Sequence, residues 1–320
     1  MQKIVALAGG VGGAKLADGL YRVLPPGALT VIVNTADDFK HLGLHISPDL
    51  DTVTYTLAGL ANPETGWGRV DESWQALEAL KALGGPAWFN LGDKDLGLHL
   101  ERTRRLKAGE SLSAITAHVC EAWGIRARVL PMSDDPVATV VESAEGDLPF
   151  QEYFVARRCE PAVRGFRFEG AETSQPSPGV LPAIAEADLI VICPSNPWVS
   201  VAPILAVPGL RAALAGRPIL AVSPIISGQA VKGPAAKMYR ELGLEPSPLT
   251  VAQHYGGLLN GFVFDQVDEG QSMAIEASGI ISLMTDTLMK SPDDRRRLAQ
   301  EILVFGQRLS AGTPQEQPKE

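Results

Sequence analysis

The chain has 320 residues, of which 45% are hydrophobic and 20% charged, and its net charge is −9. This length is enough for a large core, and the composition is that of a folded globular protein. The acidic balance argues against nonspecific binding to nucleic acid or to an anionic membrane, since both need clustered Lys and Arg.

Cysteine usage and the lengths of the apolar runs indicate a cytoplasmic protein. Cys120, Cys159 and Cys193 are far apart and form no CxxC pair. A structural zinc site or a disulfide framework is therefore not expected, and reduced thiols are typical of the cytosol. No apolar run approaches the roughly 20 residues that span a membrane, and the N-terminus lacks a signal-peptide pattern.

The N-terminal segment predicts the start of a doubly wound sheet. Residues 3–8 form a short run of Ile, Val, Ala and Leu, which is typical of a buried parallel strand. A GGVGGAK turn at residues 9–15 follows, then a helical apolar pattern, and then a second apolar run at residues 29–34. Strand, glycine turn, helix and strand in this order open a Rossmann-like fold.

The glycine turn is a candidate phosphate site. Gly10, Gly12 and Gly13 allow the backbone to approach an anion closely, with the N–H groups of a helix start aimed at it. Lys15 stands in the first turn of that helix. The spacing matches neither the GxGxxG of dinucleotide folds nor the GxxxxGK[ST] of P-loop enzymes. A plain tight turn for the glycines and a solvated position for Lys15 stay open.

The segment after the second strand, residues 34–52, concentrates acidic and imidazole side chains. These are Asp37, Asp38, Asp49, Asp51, His41 and His45. Mg²⁺ in phosphate chemistry takes one or two carboxylates plus water and phosphate oxygens. One of the first two aspartates, combined with one of the last two, could supply that set. Asp51 could instead cap a helix predicted over residues 53–60.

The histidines at positions 41 and 45 have a spacing that could place them on one helical face for zinc or iron. That reading is disfavoured because Gly43 between them is a poor helix residue and phosphate chemistry favours oxygen ligands. We expect these histidines to hydrogen-bond a substrate or to support local structure.

The middle of the chain predicts further alternating elements. They are helices at residues 72–83 and 111–123 and strands at residues 88–91 and 127–130. Asp93, Lys94, Asp95 and His99 follow the predicted strand at 88–91. Sites in α/β proteins form at such strand ends, so this cluster is a second candidate region.

Residues 133–182 are predicted to form a smaller subdomain. Residues 150–168 contain β-branched and alternating positions with scattered Arg, bounded by Pro and Gly, which is typical of partly antiparallel strands. Residues 1–132 and 183–310 are predicted to form the main domain. The polar tail, residues 311–320, is predicted to be disordered.

The last part of the chain returns to the sheet. Strands are predicted at residues 189–193, 219–222, 262–265 and 282–284, with helices at 183–187 and 293–308. Ser195 and Asn196 supply polar groups at one strand end, and a plain turn is the alternative for them. Ser227, Gly228 and residues 232–234 form a second glycine-containing loop that could hold a phosphate or a base. The expected fold is an α/β Rossmann-like doubly wound, mainly parallel sheet with a smaller α+β subdomain inserted.

A set of motifs stands in a fixed order along the chain. The motifs are GGVGGAK, NTADD, ISPDLDT, NLGDKDL, LPMSDDPV, FQEYFV, PSNPWVSVAPILA and SPIISGQAVKGPA. Each is modest alone, but the ordered set resembles the 2-phospho-L-lactate transferase family of coenzyme F420 biosynthesis. The resemblance covers nearly the whole chain apart from the polar tail.

The resemblance implies an activity, a cofactor and an assembly. Members of that family transfer a phospho-acid unit from a guanosine diphosphate adduct to the deazaflavin Fo, with release of GMP. They need Mg²⁺ and are usually homodimers. The acid is lactate in archaeal versions and enolpyruvate in many bacterial ones, and both donors stay open here.

The resemblance also implies roles for individual residues. Asp37 and Asp51 match metal-site and catalytic carboxylates, with Asp51 placed to orient or deprotonate the ribityl hydroxyl. Asp51 and Lys94 match positions that contact Fo, and His45 is a further candidate there. Many members have Arg where this chain has Lys94, which keeps the charge but loses the planar fork. The implied phosphate-binding residues are Gly10, Gly12, Gly13, Lys15, Ser195, Asn196, Ser227 and Gly228.

Two other functions are weighed against this one. A sugar-nucleotide-binding regulator related to the YvcK proteins would share the glycine turn and the DD motif but would lack transfer activity. The PDLDT and LGDKDL segments argue against it. An NAD-dependent oxidoreductase is suggested by the fold, but the glycine spacing and the acidic end of the second strand disfavour it.

Overall fold

A central parallel sheet organises the chain. The structure, a computed structural model, describes residues 2–311. Its seven strands are β1 (Ile4–Ala8), β2 (Leu29–Val33), β5 (Arg128–Pro131), β9 (Leu189–Ile192), β10 (Ile219–Val222), β13 (Gly261–Asp265) and β14 (Ile281–Thr285). They lie in the order β14-β13-β10-β9-β1-β2-β5, and every neighbouring pair is parallel.

Both faces of the sheet are covered, because successive side chains of a buried strand point to opposite sides. In β1, Val5 and Leu7 belong to the core on one face, whereas Ile4, Ala6 and Ala8 belong to the core on the other. All five residues are buried. The continuous apolar runs therefore mark central parallel strands, as the sequence predicts.

Helices fill the two faces. The first face carries α1 (Gly10–Val23), α2 (Pro48–Leu57), α5 (Leu112–Ala122) and α12 (Pro292–Ala311). The second carries α6 (Val180–Ala185), α7 (Ala202–Ala206), α8 (Leu210–Leu214), α9 (Ala235–Glu241), α10 (Pro248–His254) and α11 (Ser272–Glu276). Two more helices, α3 (Gln75–Ala82) and α4 (Asp93–Lys107), lie beyond α2 in the chain.

The strand order reverses beside β1. From β1 the chain moves outward through β2 to β5, and it then returns to β9 on the opposite side of β1. Ligands of open α/β sheets bind outside the carboxyl ends of the strands at such a switch point. The segments that follow β1, β2 and β9 meet there, and they carry most of the predicted site residues.

A second, antiparallel sheet lies between β5 and α6. It has three strands in the order β7-β6-β8, namely β6 (Ala138–Ser143), β7 (Gly146–Pro149) and β8 (Val163–Glu169). Short hairpins are formed by β3 (Phe39–His41) with β4 (Leu44–Ile46), and by β11 (Ile225–Ile226) with β12 (Gln229–Ala230). The predicted boundaries at residues 133 and 182 stay a prediction.

Several sequence-based predictions of secondary structure are wrong in detail. Residues 88–91 are irregular and not a strand, because Trp88 and Phe89 pack their rings on Phe39. Asp93, Lys94, Asp95 and His99 therefore begin a helix and do not follow a strand end. Of residues 150–168, only the part from Val163 is a strand.

The helix predicted over residues 53–60 begins earlier. Ser47 is its N-cap and Pro48 takes the first helical position, where a missing N–H costs nothing. Asp51 lies within the first turn, so it is not the cap. The tail prediction for residues 312–320 lies outside the described residues. Within residues 2–311, no helix is long and apolar enough to cross a membrane.

Candidate functional site

The predicted glycine turn at residues 9–15 is not a separate turn, because α1 begins at Gly10 and Lys15 lies in its second turn. This segment, for which the name glycine turn is kept, is in direct contact with the loop after β9. The Gly9 N–H donates to Ser195 Oγ at 3.1 Å, and the Ser195 hydroxyl donates to the Gly9 carbonyl at 2.9 Å. A Cβ on Gly12 would lie 2.2 Å from the Pro194 carbonyl oxygen, and one on Gly13 would lie 2.6 Å from Ser195 Oγ. These glycines are therefore required for the close approach of the two loops, whatever they bind.

Asp49 closes the glycine turn from the other side. The Gly10 N–H donates to Asp49 Oδ1 at 2.7 Å, and Asn34 Nδ2 donates to Asp49 Oδ2 at 3.0 Å. The same Asn34 nitrogen lies 3.2 Å from the Val199 carbonyl, in the segment after β9. Sequence reasoning did not single out Asn34, although its position directly after β2 was a usable signal. The Asn34 side-chain amide and the Asp49 carboxylate therefore connect the segments that follow β1, β2 and β9.

Asp37 and Asp38 are buried with unused acceptors. Neither Oδ1 atom has a hydrogen-bond partner. Asp38 Oδ2 accepts from Ser47 Oγ at 2.7 Å and contacts His45 Nε2 at 3.0 Å. Burial raises the pKa of both carboxyls, and the charge of Asp49 raises that of Asp37 further. Burial also raises the pKa of Asp49 to about 6. The three carboxylates therefore form one desolvated acidic group.

Asp51 faces a different partner. Its two carboxylate oxygens accept from the two terminal nitrogens of Arg102, with Oδ2 at 3.2 Å from Nη1 and Oδ1 in closer contact with Nη2. His99 Nδ1 lies 3.7 Å from Asp51 Oδ2. Both ends of the ion pair are buried. Sequence reasoning missed Arg102, which the LERTRR run presented as one of several charges on a helix.

The candidate Fo residues are not all brought together. Lys94 is exposed and donates from Nζ to the Val70 carbonyl at 3.1 Å. Within residues 2–311, no ion pair joins Lys94 to Asp51. His45 lies nearer the acidic group, since its ring contacts Asp38 and its carbonyl faces Arg102 Nη1 at 3.5 Å.

The remaining predicted residues have structural partners. Asn196 accepts from the Trp198 N–H at 3.0 Å and caps the helical turn Pro197–Val201. Ser227 and Gly228 form the tight turn of the β11–β12 hairpin, both with positive φ. Lys15 Nζ donates to the Met289 carbonyl at 2.9 Å. His41 is buried in an aromatic cluster with Phe39 and Trp88, where its Nε2 has no partner.

The donor set at the acidic group fits a hard divalent cation. Mg²⁺ prefers oxygen ligands and takes one or two carboxylates with water and phosphate oxygens. The unpartnered oxygens of Asp37 and Asp38 meet that need, and a cation would offset the repulsion around Asp49. Asp51 fits less well because Arg102 already occupies both of its oxygens. Within residues 2–311, no group of three or more His, Cys, Asp or Glu side chains is arranged to hold a metal ion.

The sequence model of one protein family, described as 2-phospho-L-lactate transferase CofD, matches residues 4–288. The chain belongs to this family. A phosphoenolpyruvate transferase of Streptomyces griseus is 45% identical over 317 residues, covering 97% of this chain and 100% of the relative. A 2-phospho-L-lactate transferase of Methanosarcina mazei is 41% identical over 301 residues, covering 94% and 99%.

Solved structures share the fold of this CofD-family transferase. A UPF0052 family protein from Bacillus halodurans superposes with a TM-score of 0.64 at 16% identity, covering 94% of this chain and 98% of that one. A second crystal structure from the same organism gives 0.63 at 18% identity. At this identity the likeness shows the α/β architecture alone. The match to the family model, and not this structural likeness, favours a transferase over a sugar-nucleotide-binding regulator.

Proposed function

We propose that the protein transfers a phosphoenolpyruvyl group from a guanosine diphosphate adduct to the terminal ribityl hydroxyl of Fo, as a step in coenzyme F420 biosynthesis. The observation that carries the proposal is the buried acidic group of Asp37, Asp38 and Asp49 at the switch point of a CofD-family fold. Relatives named phosphoenolpyruvate transferase include one at 45% identity, which favours the enolpyruvyl donor over the phospholactyl one.

The reaction is a displacement at phosphorus. The ribityl oxygen forms a bond to the phosphorus that carries the acid, the bond to the bridging oxygen breaks, and GMP leaves with that oxygen. The hydroxyl proton passes to water. Such transfers depend on positioning and charge stabilisation more than on a covalent nucleophile. Bound Mg²⁺ supplies charge neutralisation of the diphosphate.

Asp37 is the first candidate for holding the metal, together with Asp38 or Asp49. Its Oδ1 is buried without a partner, whereas Asp49 also anchors the Gly10 N–H. Asp51 has a different role in this proposal. Because both of its oxygens accept from Arg102, we assign it the orientation of the ribityl hydroxyl rather than removal of its proton. A carboxylate has about four lone-pair sites, so acceptor capacity remains.

The test is incubation of the purified protein with Fo, Mg²⁺ and each guanosine adduct in turn, with products read by mass spectrometry. We expect the enolpyruvyl product in preference to the lactyl one, and loss of product on EDTA treatment with recovery on adding Mg²⁺. A preference for the lactyl donor would reverse the assignment of the acid. Absence of product with both donors, together with no change in Fo fluorescence on mixing, would instead support a binding protein without transfer activity.

A further inference from the structure

The antiparallel sheet of β6, β7 and β8 contacts two of the elements around the candidate site. Its apolar side chains share a buried cluster with Val199, in the segment after β9, and with Met238 on α9. Val199 also supplies the carbonyl that lies 3.2 Å from Asn34 Nδ2. Two of the motifs that carry the family resemblance, LPMSDDPV and FQEYFV, directly precede β6 and directly follow β7. The sheet is therefore placed to act on the site.

Thr139 joins this sheet to the acidic segment after β2. β7 pairs with β6 from Val140 onward, so the residue before it extends beyond that strand pair. The Thr139 N–H donates instead to the Ala36 carbonyl at 2.7 Å. The Thr139 side chain is 2% exposed and, within residues 2–311, its hydroxyl has no hydrogen-bond partner. This hydroxyl lies near the Asp37 carboxyl, whose pKa it lowers against the effect of burial.

Gln151 makes a second contact with the same segment. It directly precedes the helical turn Glu152–Ala156, and its side chain is buried. Gln151 Nε2 donates to the Asp37 carbonyl oxygen at 3.4 Å. Residue 37 is thus held at its main chain by one residue of the inserted region and bordered at its side chain by another.

Asp37 needs such support because its neighbours repel it. The charges of Asp49 and Asp38 both oppose ionisation of Asp37, as like charges at close range do in a buried site. In the part of the chain that the structure describes, Asp37 Oδ1 accepts no hydrogen bond. A threonine hydroxyl has one hydrogen to donate, and the Asp37 carboxylate is an acceptor beside the Thr139 hydroxyl.

We propose that Thr139 and Gln151 are positioning residues for Asp37. The Gln151 amide fixes the main chain at residue 37, and the Thr139 hydroxyl orients the carboxylate. The antiparallel sheet thereby takes part in holding a divalent cation without supplying a ligand of its own. This inference rests on the proposed function, since it takes a divalent cation as the occupant of the acidic group. Groups that orient a metal ligand typically change metal affinity by roughly 10–100-fold when they are removed.

The first test is titration of the full chain with Mn²⁺, with and without GDP, in which electron paramagnetic resonance measures the free Mn²⁺. Thr139→Val replaces the hydroxyl with a methyl group and should weaken Mn²⁺ binding by about tenfold or more. Thr139→Ser restores the hydroxyl and should recover most of the affinity. Gln151→Met keeps the length of the side chain without the donor and should weaken binding as well.

Ser143→Ala is the matched control at the other end of β6. The Ser143 hydroxyl donates to the Gly146 carbonyl at 2.6 Å, so this variant loses a hydrogen bond of the same sheet away from residues 34–38. Its affinity for Mn²⁺ should stay close to that of wild type. Equal losses in Ser143→Ala and Thr139→Val, or no loss in Thr139→Val, would overturn the positioning role. A wild-type protein that binds no Mn²⁺ in either condition would overturn it too.

Transfer assays separate this inference from the proposed function. In Thr139→Val the Mg²⁺ concentration that gives half the maximal rate should rise while the KM for Fo stays unchanged, a split that a general loss of structure would not give. Mn²⁺ binding that depends on Thr139, in a protein that forms no product, would retain the positioning role and remove the transferase assignment. Product formation by Thr139→Val at the wild-type Mg²⁺ requirement would remove the positioning role.

Discussion

Arg102 on α4 and Asp51 on α2 form a buried, two-pronged ion pair that joins the two helices across the candidate site. Arg102 also faces the His45 carbonyl and His99 Nδ1, at 3.5 Å and 3.4 Å. Arg suits this position because its planar fork matches a carboxylate with two parallel hydrogen bonds. The pair brings a positive charge close to a region that is otherwise acidic.

Removing Arg102 should therefore destabilise the fold strongly. Arg102→Met leaves the Asp51 charge buried without its partner, and breaking a buried pair in this way costs about 3–5 kcal/mol. Urea denaturation followed by circular dichroism measures the change. Arg104→Met is the control on the same helix, because Arg104 pairs with Glu101 at the surface and should contribute little. Equal unfolding midpoints for Arg102→Met and wild type would contradict the role of the pair.

Asp37→Asn should separate activity from stability. The substitution removes a buried charge whose Oδ1 has no partner and which lies beside Asp38 and Asp49. We expect a gain of roughly 1 kcal/mol in the free energy of unfolding at pH 8, with loss of Mg²⁺-dependent transfer.

The comparison for that prediction is Asp38→Asn. Asp38 accepts a hydrogen bond from Ser47 and contacts His45, so replacing it should not stabilise the protein in the same way. Thermal unfolding and product formation are measured on both variants. A destabilised Asp37→Asn protein with full activity would remove Asp37 from the proposed metal site.

The sequence predicted the sheet well for a physical reason. Buried parallel strands need continuous apolar runs, and residues 3–8, 29–34 and 189–193 have no other favourable environment. The strand predicted at residues 88–91 is wrong because Trp and Phe fit a strand and an aromatic cluster equally well. Only the contacts of Trp88 and Phe89 with Phe39, distant in the chain, decide between the two.

The contacts among the candidate site residues were less predictable than the end of the sheet on which they lie. The carboxylates after β2 were expected at the carboxyl end of the sheet, because parallel strands end at the same edge. The pairing of Asp51 with Arg102 joins residues 51 positions apart on different helices. The contact of Asp49 with Gly10 likewise depends on how α2 turns back over the glycine turn. Local sequence patterns carry no information on such contacts.

Asp95 should make stability depend on pH. Burial raises its pKa to about 6, while the nearby Tyr55 side chain opposes the shift and the charge of Asp51 adds to it. An unfolded aspartate titrates at about 3.9. The folded state therefore binds the proton more tightly, and this contribution to stability is complete below pH 3.9 and is lost as the pH rises through 6.

The measurement is urea unfolding of wild type and Asp95→Asn between pH 4 and pH 8. The variant lacks the proton-linked contribution that wild type loses as the pH rises. Its free energy of unfolding minus that of wild type should therefore increase by about 2 kcal/mol from pH 4 to pH 8. Asp71→Asn, the same change at an exposed position, is the control and should run parallel to wild type. A constant difference between Asp95→Asn and wild type would contradict the raised pKa.

Gly12→Ala should disturb the contact between the loops after β1 and β9. The added Cβ would lie 2.2 Å from the Pro194 carbonyl oxygen, which is backbone and cannot rotate away. Overpacking of this kind costs about 1–3 kcal/mol and shifts the neighbouring backbone, here the segment that carries Ser195. Gly97→Ala in α4 is the matched control, since no atom lies within 4 Å of its Cβ and helix propensity should add about 1 kcal/mol. The urea midpoint of Gly12→Ala should fall relative to wild type, and that of Gly97→Ala should rise. A Gly12→Ala protein as stable as Gly97→Ala would show that the two segments can move apart without loss of stability.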